Sequence, residues 1–354
     1  MPEELERNEV LTVEYTQPKF WHRIMANFVD FALFLFLFIG LFIGTRSIVQ
    51  ATPSYKAMEK RENDIQIESG LYAYFPARER NYDIIYYLDA TVSVYGSEWD
   101  GVASGGEEPT GKIGRSVKAI NTFISYCSDE NHASQTAYQT LVEHYDSFRL
   151  EQKYNNVNYF IKDADDKVVP NPTLADVAEN RKLYYENIYK PLIEKYCIPF
   201  LEANVPEYAQ LLRNDFNLLV FLEIPVSYVI SIFHVYFIPP LFFKRGRKTL
   251  GKALYHIGLV DSRILSPTLG RFTLRFIILL FLEFILSLVS FGIPFIISFS
   301  MMVFSKRKQG FPDYMLKLQE VDTSKANIYM DYVEAQLKNE MHGPAIDFKM
   351  EKPL

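Results

Sequence analysis

Two cysteines and two tryptophans are all that 354 residues contain. Two thiols cannot build a disulfide-stapled scaffold, and the chain has no His/Cys cluster of the kind a structural metal site needs. Cys127 and Cys197 both sit on apolar helical faces, so one disulfide and two buried free thiols both stay open. Equally missing are a phosphate-cradling glycine loop, a nucleophile elbow and a metalloprotease helix. The TLGK at residues 249–252 lacks the upstream glycine of a nucleotide loop. The three aspartates of KDADD resemble a calcium loop, but its sixth and twelfth places, counted from Asp163, hold Val168 and Leu174 instead of Gly and Glu. A plain turn is expected there. No enzyme, cofactor or metal follows from these absences.

Charge is the third scarcity, and it is local. Residues 25–44 carry one charge, Asp30; residues 217–243 carry one, Glu223; residues 276–304 carry one, Glu283. A bilayer core of about 30 Å needs roughly 20 apolar residues in a helix, so each run qualifies as membrane-spanning and the last is too long for one pass. The first run is also longer than a signal-peptide core and follows a mostly polar segment, which predicts a retained span.

The expected fold is mainly α: a polytopic helical membrane core with a large, mostly helical extracytoplasmic insert. Residues 244–275 hold eight Lys/Arg against one acid, Asp261, and a KRK cluster (Lys306, Arg307, Lys308) follows the last run. Lys/Arg-rich flanks face the cytoplasm. Residues 45–215 hold 18 Lys/Arg and 26 Asp/Glu, which reads as extracytoplasmic. The layout is then a cytoplasmic segment 1–22, a first span 23–48, an extracytoplasmic domain 49–215, a second span 216–243, a basic cytoplasmic loop 244–271, a membrane hairpin 272–305 and a cytoplasmic tail 306–354. Gly292 and Pro294 supply the break inside the hairpin; one long tilted helix is the alternative. The protein would sit in the cell membrane, multi-pass, with both ends cytoplasmic and the bilayer as its first partner. The basic loop suits anionic headgroups beside a membrane better than nucleic acid, which is not expected as a partner.

Within the insert, Val117, Ile120, Phe123, Ile124 and Cys127 share one helical face, and Leu141, Tyr145 and Phe148 mark another helix. Leu183, Ile188, Leu192, Ile193, Tyr196 and Phe200 form a third stripe, which Pro191 should kink or end. NYFIKDADDKVV reads as a small hairpin turning at residues 163–166. YGSEWDGVASGGEEPTG reads as a loop. Pro206 should start a helix that runs into the second span.

An ionisable residue inside a membrane is costly unless protonated, paired or solvated. Arg23 and Asp30 lie seven residues apart, two helical turns, on one face. Asp30, Glu223 and Glu283 place one acid in each run and invite an ion-pathway reading. The plainer alternative has Asp30 paired to a base from another helix and Glu223 at the interface. His234 reads as a packed, hydrogen-bonded residue.

RIMANFVD, GRKTLGKALYHIGLVD and RKQGFPDYM, in this order, resemble the RDD family of bacterial membrane proteins. The resemblance covers about residues 18–48 and 217–322 and leaves out the insert. It assigns Arg23 and Asp30 to the arginine and first aspartate of the family's name and Asp313 to the second. Thr249, Gly251 and Lys252 of the loop motif, the following LVD and Arg271 also fit. Pro312 departs from it, standing where members usually have a histidine. The resemblance implies exchange of a monovalent cation for protons, proposed for some members, with Asp30 binding the ion, Arg23 tuning it and Asp313 closing the inner path. A reading of another class is a membrane-anchored protein that binds a protein partner through its insert. Both need a charge lock: Arg23 is expected to pair with Asp313, and Asp30 to face the bundle interior near a polar or basic group of another helix, such as Arg271 or Arg275.

Overall fold

A computed structural model describes residues 11–93, 95, 111–175, 177–305, 308–324, 327–335, 337 and 346–350. The glycine-rich loop and Lys306 and Arg307 of the KRK cluster lie outside the described residues, apart from Tyr95 and Gly111 at the loop's ends. The chain divides into two compact units, residues 1–46 with 222–354, and residues 47–221.

The first unit is organised by long apolar helices. One runs Phe20–Ala51 and another Pro206–Phe242, both long and apolar enough to cross a membrane. Only 11% of the apolar window of the first helix is buried within the protein. The core helix of a soluble protein would hide most of that surface, so lipid is its natural cover. Phe34, Ile232, Val235, Phe276 and Leu279 pack these helices against a third, which begins at Leu269.

Proline explains the shape of the second helix. Two π-helical turns, Leu219–Glu223 and Phe233–Phe237, come directly before the segments that carry Pro225 and Pro239. Proline lacks an N–H and clashes with the carbonyl four residues back; a wider turn lets the helix continue.

The third helix ends at Val289, and the chain reverses through Phe291 and Gly292, at φ 52° and 83°. The second arm, Ile293–Phe304, folds back, with Phe295 N–H donating to Ser287 Oγ at 3.2 Å and Ser298 donating to Glu283. The backbone reversal overturns the single tilted helix. Twelve residues of helix reach about 18 Å, short of a full crossing.

Residues 244–271 and the described part of 308–335, expected as a loop and a tail, instead fold together. Strand Ile257–Val260 is buried at all four positions and pairs antiparallel with Gln319–Asp322. Tyr15, Val260, Val321 and Ile328 form a small core beside it. Leu11–Tyr15, within the expected N-terminal segment 1–22, pairs parallel with Ile346–Met350.

The second unit is mainly helical around its own core. Lys112–Ser128 buries Val117, Ile120, Phe123 and Cys127, and Gln135–Glu151 buries Leu141. Residues 181–204 form one helical run. Pro191 and Pro199 do not end it, because π turns at Tyr185–Tyr189 and Ile193–Cys197 precede them. Phe160–Lys162 and Val168–Pro170 make the expected hairpin, and Asp163 accepts backbone N–H groups from Asp165 and Lys167, as a turn residue does. The helix Pro53–Glu68 was not foreseen, although Thr52 caps it and Pro53 opens it. Both cysteines are buried free thiols, and burial pushes each up to about 12.

Candidate functional site

Asp30 lies on the first helix with 1% of its surface exposed. Its partners are neutral. Gly251 N–H donates to Oδ1 at 2.7 Å, and the Thr249 hydroxyl donates to Oδ2. Thr249 caps the short helix Leu250–Leu254, so the carboxylate faces the unsatisfied donors of a helix start. This docking is close. A Cβ at position 251 would meet the Ala26 carbonyl oxygen at 2.1 Å and Asp30 Cγ at 2.9 Å. The TLGK stretch therefore receives Asp30: threonine supplies a hydroxyl, glycine the approach and Lys252 a charge.

Lys252 and Arg23 converge on Glu320, at 2.8 Å and 2.6 Å. Arg23 also donates to the Lys308 carbonyl. The whole group is buried, Arg23 to 3% exposure. Burial pushes the Glu320 carboxyl up, but Lys252 and Arg23 outweigh it and hold it well below the usual carboxylate range. Asp313 takes a bidentate pair from Arg275, with bonds of 2.5 Å and 3.1 Å.

The expected lock is corrected here: Arg23 pairs with Glu320, and Asp313 with Arg275. Asp30 meets Thr249 and Gly251 directly and feels Arg275 only through space. Arg271 does not reach it; with Arg263 it pairs to the buried Asp261. Glu320 was missed because nothing in QEVD marks a strand strongly enough to carry that acid to the first helix. Ser298, the partner of Glu283, was missed because a lone serine in an apolar run carries no signal by itself.

Glu223 is fully buried within the protein. Oε1 accepts from Arg46 at 3.0 Å, while Oε2 has no hydrogen-bond partner. Ser227, one turn on, donates to Thr45 Oγ1 at 3.2 Å. Arg46→Ala would strand this carboxylate. The expected loss is about 1–3 kcal/mol, read as the unfolding midpoint in detergent; an unchanged midpoint would mean that water reaches Glu223.

No curated protein and no solved structure matches the chain. Residues 207–317 match the model of the RDD family. That span holds Thr249, Gly251, Lys252, Arg275, Glu283 and Asp313, whereas Arg23, Asp30 and Glu320 lie outside it and join the site through their contacts. Over that span, about a third of its length, the chain is similar to the RDD family.

Proposed function

We propose that the first unit is a multi-pass membrane exchanger of a monovalent cation for protons, with both chain ends cytoplasmic and residues 47–221 extracytoplasmic. One observation supports this reading above others. Asp30, Glu283, Asp313 and Glu320 share an electrostatic neighbourhood with Arg23, Lys252 and Arg275. Glu320 takes two cations and Asp313 takes one. Asp30 and Glu283 are left with neutral donors. Among the described residues, these four carboxylates against three cations leave one negative charge over, which a low-dielectric site balances with a proton or a bound cation.

Of the two, Glu283 is the better exchange group. Asp30 receives two donors, an arrangement that suits the ionised form. Glu283 meets the Ser298 hydroxyl, which can donate to a carboxylate or accept from a carboxyl. Asp30 then anchors the short helix, and Glu283 alternates between proton and cation.

The test uses proteoliposomes with an entrapped pH indicator and additions of Na⁺, K⁺ or Li⁺. Wild-type protein should move protons in response to at least one cation. Glu283→Gln should abolish the response while its unfolding midpoint stays near wild type. Silence of the wild-type protein towards all three ions would overturn the reading.

A further inference from the structure

The second long helix ends at Phe242, and the chain leaves it through Phe243, Lys244 and Arg245. A cavity of about 460 Å³ opens at this exit, lined on one side by these residues and Lys248, and on the other by Thr323 and its neighbours. Three cations line it and no carboxylate does.

The three are held differently. Arg245 pairs at its outer edge with Glu334 at 2.5 Å. Lys248 is half-buried and donates to the Thr323 hydroxyl at 2.6 Å, a neutral partner. Burial pushes its ammonium below the ordinary lysine value, a trend that Asp322 opposes. Among the described residues, no hydrogen bond or ion pair reaches the Lys244 ammonium. Lys244 is exposed, whereas Lys248 is partly desolvated with a neutral hydrogen-bond partner, which is costly for a cation and which an incoming anion would relieve. The Thr323 hydroxyl in turn donates to the His256 carbonyl at 2.8 Å.

Part of the lining is apolar. Phe242 is 79% exposed, and Phe243 is also exposed. Two bare phenylalanines at the end of an apolar helix, directly against a cationic cavity, match one class of molecule. A phospholipid brings an anionic phosphate and, covalently joined to it, acyl chains that would lie along the rings. Free phosphate would use the cations and leave the rings bare.

We propose that this cavity binds the headgroup phosphate of an anionic phospholipid in the leaflet where the second long helix ends. The inference rests on that helix lying in a bilayer and is independent of ion exchange. Lys244 and Lys248 would contact the phosphate, and Phe242 and Phe243 would cover the first carbons of the chains.

The experiment uses the full chain in a neutral detergent, titrated with phosphatidylglycerol, phosphatidylcholine or inorganic phosphate. Two readouts are taken, the unfolding midpoint and lipid adducts in native mass spectrometry. Phosphatidylglycerol should raise the midpoint and leave a retained adduct; phosphatidylcholine should do neither. Lys244→Gln with Lys248→Gln should weaken the response by roughly tenfold or more, as loss of two basic residues at an anionic surface predicts. Lys244→Gln alone removes a side chain without a protein partner, so it should fold normally and still weaken binding. Equal adducts for both lipids, an undiminished response in the single variant, or inorganic phosphate acting at the same concentration as phosphatidylglycerol would each overturn the proposal.

Discussion

Glu320→Ala is expected to destabilise the first unit by about 3–5 kcal/mol, because it strands two buried cations at once. Arg23 and Lys252 both converge on this carboxylate, and all three are buried. The measurement is a denaturation midpoint in detergent. A second variant separates lost charge from lost packing. Arg23→Met, Lys252→Met and Glu320→Leu together remove the triad while keeping its volume, and should recover most of the loss, since apolar replacement of a buried ionic group is often neutral or better. The pH dependence has a defined sign. The folded carboxyl titrates below its ordinary value of 4.5. Its contribution is therefore complete above pH 4.5 and is lost progressively as the pH falls below it. An alanine variant that melts with wild type, or a wild-type midpoint already falling between pH 7 and 5 through this group, would show that the triad is solvated.

Gly251→Ala is expected to cost about 3 kcal/mol, at the upper end of overpacking penalties. The added methyl would stand 2.1 Å from a backbone oxygen of the first helix, and a backbone atom cannot rotate away as a side chain can. The short helix must retreat, and retreat breaks the Gly251 N–H bond to Asp30 and draws Thr249 from the same carboxylate. Both the unfolding midpoint and cation-driven proton movement should fall. Gly270→Ala is the reference, since a Cβ there meets nothing within 4 Å. Equal midpoints for the two variants would mean that the first helix and the loop motif are not docked as described.

The membrane character of this protein was legible in the chain itself, because hydropathy adds up along a segment without reference to its neighbours. Residues 25–44 and 217–243 needed no fold to be recognised as apolar runs. The reversal at Gly292 was equally local, since glycine tolerates the left-handed backbone found there. The helical faces of the insert followed from periodicity, with Val117, Ile120 and Phe123 buried as their spacing requires. Pro191 does not end its helix because a π turn absorbs what an α turn cannot, and nothing local announces it.

Which acid meets which base was decided only by tertiary structure. Arg23 and Asp313 share a motif in the sequence, yet Arg23 reaches Glu320, 297 residues away, and Asp313 goes to Arg275. The pairing depends on the register of two short strands, in which Leu259 stands opposite Glu320. A slip of one residue would turn Glu320 to the other face of the pair, and its two cations would lose their counter-ion. Charge is a property of a residue, but an ion pair belongs to a distance, and that distance is set by strands and helix ends that hydropathy does not encode.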